Sequence, residues 1–289
     1  MHEPISDPPA GPRYAKGHGT ENDFVLLPDP DGELKLTGAR VRALCDRRRG
    51  LGADGVLRVV RAGGLDEELP GGTNPDTWFM DYRNADGSVA EMCGNGVRVF
   101  ARYLVETGLA ARGDLPVGTR AGVRATHVHD DGRVTVDMGP VTAHGLSTTR
   151  ADGHEFSGLV IDVGNPHLAC VTELDVRTLE ITAAPTHDPA VFPHGVNVEF
   201  VQPVGPDRVR MRVHERGVGE TRSCGTGTVA ATLAGLRAAG ADTGLRTVEV
   251  PGGTVEVEVT PTTSTLTGPA VLVAHGRLDA DWWERYESD

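Results

Sequence analysis

The sequence predicts an α/β (α+β) fold built from two related halves, each mixing strand and helix, with a cleft between them. Strand and helix signals alternate along all 289 residues, as expected of layered sheet-and-helix domains. One segment also recurs. MCGNGVRVFARYL from Met92 resembles SCGTGTVAATLAGL from Ser223. Each copy follows a strand and a glycine-containing loop and opens a helix, and self-similarity at this long spacing suggests paired domains rather than a solenoid.

Phe24 to Leu27 is a short apolar run closed by Pro28, hence a strand. Thr37 to Arg49 reads as a helix, capped by Thr37, striped by Val41, Leu44 and Cys45, and followed by Gly50. Val56 to Val60 is a strand, Ala62 to Asp76 a Gly-, Pro- and acid-rich loop, and Trp78 to Tyr82 a strand again. Gly94 to Thr107 carries Val97, Val99, Phe100 and Leu104 and is a helix closed by Gly108. Val123 to Val128 and Val134 to Met138 form a hairpin around Asp131-Gly132. The pattern then restarts with strands at Leu159 to Val163, Val196 to Val201 and Val209 to Val213, and a helix from Gly225 to Ala239. Val248 to Val250 and Val255 to Val259 flank a turn at Pro251-Gly252-Gly253.

The bulk composition excludes several classes. A formal net charge of −13 without a basic block argues against a nucleic-acid or anionic membrane partner. An apolar fraction of 38% with 38 Gly and 19 Pro fits a loop-rich globular enzyme rather than a coiled coil. Met1 to Arg13 lacks a basic start followed by an apolar stretch, so it reads as a floppy tail and not a secretory signal. Four cysteines without a CxxC pair suggest reduced thiols and a cytoplasmic protein.

Cys93 and Cys224 carry the chemistry. Each stands where a loop meets a helix N-terminus, followed by Gly-Asn-Gly or Gly-Thr-Gly. Unpaired N–H groups and the positive end of the helix dipole favour a thiolate there, so each thiol pKa should fall below about 8.5. The same N–H groups can cradle a carboxylate, with glycine clearing the approach. Two such cysteines in mirrored contexts suit inversion of a stereocentre: a thiolate removes a proton from one face and a thiol returns one on the other. There is no Walker loop and no strand-linked GxGxxG, so the helix ends must stabilise the carbanion without a cofactor. Cys45, within a helical stripe, and Cys170, in LACV, read as buried hydrophobes. A zinc site is disfavoured by the spacing. Polar residues occupy matched places before the two cysteines, Asn84 and Glu215, and Asn22-Asp23 and Asn165-Pro166-His167 form a second matched pair.

GHGTENDFV, GLGADG, YRNADGSVAEMCGNGVR, DVGNPH, GVNVEF, VHERGVGETRSCGTGT and VPGG occur in this order from about Tyr14 onward. The series resembles the diaminopimelate epimerase family. The resemblance implies two similar domains, each a curled mixed sheet around a central helix: residues 1–137 with 267–289, carrying Cys93, and residues 138–266, carrying Cys224. It implies interconversion of LL- and meso-2,6-diaminopimelate in lysine and peptidoglycan-precursor synthesis, with no pyridoxal phosphate and no metal, and with a homodimer as the assembly. Carried over by motif, Cys93 and Cys224 are the acid/base pair. Gly94, Asn95, Gly225 and Thr226 bind the carboxylate at the reacting end. Asn22, Asn84, Asn165 and Asn197 hold the distal groups and the reacting amine. Glu215 fixes an ammonium, Arg216 pairs with the distal carboxylate, and His167 assists a thiol's proton. Two positions depart from the family pattern: Glu21 stands where many members have Gly, and Gly55 where some have a glutamine.

Two other readings compete. A proline or hydroxyproline racemase, or a related isomerase, would likewise place catalytic groups at helix N-termini but need a smaller, more apolar distal pocket. A non-catalytic amino-acid-binding or redox-sensing protein would need the glycine cradles but not two reactive thiols, although close thiols could also form a Cys93–Cys224 bridge under oxidation.

Overall fold

The computed structural model describes residues 10–71 and 73–288. In chain order the elements are β1 (Ala10–Gly19), β2 (Asn22–Pro28), α1 (Gly38–Cys45), β3 (Gly55–Arg61), β4 (Trp78–Asn84), α2 (Gly94–Glu106), β5 (Gly113–Thr119), β6 (Gly122–Val128), β7 (Val134–Gly139), β8 (Thr142–Ala151), β9 (His154–Asp162), β10 (Pro166–Val171), β11 (Asn197–Gly205), β12 (Arg208–Glu215), β13 (Gly219–Thr221), α3 (Gly225–Ala238), β14 (Gly244–Val250), β15 (Gly253–Val259), β16 (Ser264–Gly268), β17 (Val271–Asp279) and α4 (Ala280–Glu284).

Strand pairing repeats. One half runs β17, β1, β2, β3, β4, β5, β6, β7. The other runs β8, β9, β10, β11, β12, β14, β15, β16. Step by step both read antiparallel, antiparallel, parallel, antiparallel, parallel, antiparallel, antiparallel. α2 follows β4 and leads to β5; α3 follows β12 and its β13 flap and leads to β14. Each central helix therefore makes the crossover that a parallel pair requires. β7 and β16 pair antiparallel and join the halves. The expected boundaries after residues 137 and 266 fall inside these two joined strands.

Burial explains why the sheets curl around helices. α3 is buried on all sides, including Gly225, Val229, Ala230, Leu233, Ala234 and Leu236, and a helix apolar all round must be wrapped. α2 likewise buries Val97, Val99, Phe100, Ala101 and Leu104. β2 and β3 are covered on both faces. Phe24, Leu26, Leu57 and Val59 pack on the α2 side, whereas Val25, Leu27 and Val56 pack with Val41 and Leu44 of α1. This double coverage makes their sequences continuously apolar rather than alternating.

Several expectations need correction. Residues 1–9 of the expected tail lie outside the described residues. Ala10 to Arg13, however, begin β1 and pair with Asp279 and Arg277 of β17, a partner far away in sequence. The helix expected to reach Arg49 stops at Cys45, because the Asp46 carboxylate accepts the Arg48 and Arg49 backbone N–H groups and offers them a tight turn instead. Strands β8, β16 and β17 carry weak apolar alternation, and their pairing across the sheet defines them.

Candidate active site

Each half ends a strand, makes a loop and starts its central helix on a cysteine. Cys93 is the N-cap of α2, and its Sγ accepts the Gly96 N–H at 3.5 Å. Cys224 is the N-cap of α3, and its Sγ accepts the Gly227 N–H at 3.4 Å. Sulfur takes the place that a Ser or Asp oxygen takes in ordinary caps. The two tips abut: a Cβ built on Gly225 would lie 3.3 Å from the Gly94 Cα and 3.5 Å from the Asn95 nitrogen. Glycine on both sides allows that approach.

A cavity of about 1090 Å³ opens at this junction, and every sequence-predicted site residue except His167 lines it. Cys93 and Asn22 meet there, Sγ to Oδ1 at 3.6 Å, while Asn22 Nδ2 donates to Asp54 Oδ2 at 2.8 Å. Asn84 starts the turn at Asp86-Gly87 and donates to Ser88 Oγ at 3.0 Å. Asn197 Oδ1 accepts the Arg216 backbone N–H at 2.8 Å, and the Arg216 guanidinium donates to His194 O at 3.2 Å. Glu215 accepts from Thr221 Oγ1. Thr226 Oγ1 lies 3.5 Å from Cys224 Sγ.

Asn95 also joins the two helix tips. Its side chain is buried, and Nδ2 contacts Asn22 Oδ1 at 3.3 Å, Ser223 O at 3.1 Å and Ser223 Oγ at 3.3 Å. It bridges the Cys93 tip to the residue before Cys224. Thr20 Oγ1, 2.7 Å from Ser223 Oγ, and the buried Arg98, whose Nη2 donates to Thr20 Oγ1 at 3.1 Å, extend the same bridge. His167 has no solvent exposure and bonds Glu199 and Asn165, so any effect on a sulfur passes through those neighbours. Cys170 is fully buried as expected, whereas Cys45 is buried at the cavity wall.

The thiols also depart from expectation. Burial pushes Cys93 up to about 11, against the lowering by the Gly96 N–H; the nearby Glu215 raises it further, and the Asn95 N–H and Arg98 oppose. Burial, then Glu215 and Glu199, raise Cys224 well above the free value, beyond what Thr226 and Gly227 offset. Helix-end stabilisation is present, but removal of water outweighs it. Burial likewise raises Glu215.

The two sequence departures have structural accounts. Glu21 adopts φ of 63° and pairs with Arg222 across the cavity mouth. A Cβ on Gly55 would lie 2.6 Å from the Tyr82 ring and 2.7 Å from Arg83 O, so Tyr82 fills the space a longer side chain would need. Asp54, Ser223 and Glu199 were missed as contributors. The legible signal for Glu199 was a charge inside the apolar run Val196 to Val201, since buried charges need partners.

Known proteins share this fold and much of this sequence. A hydroxyproline epimerase from Agrobacterium vitis, solved with trans-4-hydroxy-L-proline, superposes with a TM-score of 0.61 at 18% identity, covering 94% of each chain. A phenazine biosynthesis protein of the PhzF family from Bacillus anthracis gives 0.62 at 16% identity, over 92% of this chain and 98% of that one. At such identities the likeness concerns the fold. Relatives named diaminopimelate epimerase from Rhodococcus opacus and Mycolicibacterium smegmatis are 59% and 57% identical, each over 93% of this chain and 98% of their own length. The family model described as diaminopimelate epimerase matches residues 14–144 and 159–273. With paired cysteine-capped helices at one cleft and these relatives across nearly its whole length, the chain belongs to the diaminopimelate epimerase family.

Proposed function

We propose that this chain interconverts LL- and meso-2,6-diaminopimelate, passing the α-proton between Cys93 and Cys224 without pyridoxal phosphate or metal. The observation that carries the reading is the abutment of two cysteine-capped helix tips at a single cavity. One sulfur, as thiolate, takes the α-proton; the opposed thiol gives its proton to the other face, so the two protonation states are exchanged by each turnover. The helix-tip N–H groups at Gly94, Asn95, Gly225 and Thr226 hold the α-carboxylate and stabilise the charge that develops beside it. The ligand's ammonium, paired with Glu215, brings the positive charge that the buried thiols lack and eases thiolate formation. Arg216 pairs with the distal carboxylate, with Asn22, Asn84, Asn165 and Asn197 around it. Among the described residues no lysine lines the cavity, whereas pyridoxal chemistry begins from a lysine Schiff base.

We place the protein in the cytoplasm, as its four unbridged cysteines suggest; no helix among the described residues is long and apolar enough to cross a membrane. A homodimer joined along the open edge strand β17, where Val271 and Val273 are exposed, is the assembly we propose. The activity is tested by incubation with LL-diaminopimelate or L-proline in heavy water. Deuterium at the α-carbon of diaminopimelate alone is expected; deuteration of proline alone would move the assignment to a proline-type racemase.

A further inference from the structure

Glu199 is the third residue of β11, between Val198 and Phe200, and its side chain has no solvent exposure. A carboxyl group there is expensive unless something meets it. β10 and β11 are parallel, with His167 opposite Asn197 and Ala169 opposite Glu199, so His167 and Glu199 point to one side of the sheet. His167 Nδ1 lies 2.6 Å from Glu199 Oε1. That distance fits one proton shared between them. Nε2 lies 3.0 Å from Asn165 Oδ1, a contact that the Nε2–H tautomer satisfies as donor. The Asn165 carboxamide is held by its oxygen, leaving its NH₂ as the free end, and Asn165 lines the cavity.

Two further observations separate this from simple packing. Glu199 Oε2 is buried without a hydrogen-bond partner, and a half-satisfied buried acid is a poor staple, since an apolar side chain of similar size is often neutral or better for stability. A Cβ built on Gly227 would lie 2.9 Å from Glu199 Oε1 and 3.3 Å from Cys224 Sγ, so the carboxyl group is seated directly behind the first turn of α3. Burial raises its pKa, which favours the shared-proton arrangement over a lone carboxylate.

We propose that Glu199 is a positioning residue of the cavity: acting through His167, it holds the Asn165 carboxamide with its NH₂ turned to the bound amino acid, as a donor to one of its carboxylates. The proposal rests on the reading of the cavity as an amino-acid site. Its test compares the full-length wild type, Glu199→Gln and Glu199→Leu by α-deuteration of LL-diaminopimelate and by ¹⁵N-histidine NMR. Gln can still donate to Nδ1, so its KM should stay within about threefold of wild type, whereas Leu should raise KM about tenfold or more with kcat changed far less. The spectrum should show an exchange-protected His167 Nε2–H, assigned by its loss in His167→Gln, present in wild type and Glu199→Gln and absent in Glu199→Leu. Wild-type KM in Glu199→Leu, equal impairment in both Glu199 variants, or no protected Nε2–H in wild type would each overturn the proposal. If Glu199→Leu does not fold, the Gln variant and the wild-type spectrum still decide. An inactive wild type would defeat the catalytic reading instead, and the spectrum would report on Glu199 independently.

Discussion

At the scale of single residues, the two sulfurs do two jobs: each caps a helix through an N–H···S contact and each faces the cavity. Serine in either place keeps the cap but is a far weaker acid and base partner. Cys93→Ser and Cys224→Ser, made singly, should each lower epimerisation by about 10³-fold or more while diaminopimelate still protects the protein in thermal melts; full turnover in either variant would remove the two-base assignment. The raised Cys93 pKa gives a signed pH dependence. A free thiol is half-way to its alkylation plateau near pH 8.5, but a group held at about 11 stays mostly protonated there. Below its pKa the thiolate fraction grows with pH, so iodoacetamide modification of Cys93 in the ligand-free protein should rise about tenfold per unit from pH 7 to 10, as read by peptide mass spectrometry. A plateau near pH 8.5 would mean that the helix end outweighs burial after all.

At the scale of elements, close backbone approach decides where glycine is required. Gly252, in the turn between β14 and β15, donates its N–H to Arg222 O at 3.0 Å. A Cβ there would fall 1.9 Å from Thr20 O, backbone that cannot swing aside as a side-chain tip would. Thr20 and Arg222 flank the cavity junction, so the VPGG turn of one half props the first turn of the other. Gly252→Ala should lose about 2–3 kcal/mol of stability through this overpacking and melt roughly 5 °C lower, with activity falling alongside; an unchanged melting curve would show that the turn moves freely.

At the scale of the whole molecule, the halves touch through small polar bridges: Asn95 to Ser223, Thr20 to Ser223, and Glu21 to Arg222. The last is exposed, so solvent screens it and it is worth about 0–1 kcal/mol. Glu21 also sits at positive φ, a strain that glycine would relieve, although glycine frees the unfolded chain by a comparable amount. These terms oppose one another, so Glu21→Gly should change unfolding free energy by less than about 1 kcal/mol in urea titrations. A loss of several kcal/mol would make the pair a principal fastener of the two halves.

The sequence by itself determined the repeat, the two central helices, most inner strands and the cysteine pair. These are local signals: apolar periodicity, caps and glycine-bounded loops set by neighbours a few residues away. Asn84 and Glu215 stood out beside the repeated motif, whereas Asn197 and Arg216 were legible only through the resemblance to the family's motifs. Only the tertiary structure decided the rest. β1 is a strand because β17, from the other end of the chain, pairs with it. Asn95 became an interdomain bridge because Ser223 lies against it. The thiols are raised rather than lowered because folding buries them and brings Glu215 close to both, with Glu199 beside Cys224. A pKa, a long-range strand pairing and a buried partner all depend on what is distant in sequence and near in space, and no local pattern encodes that.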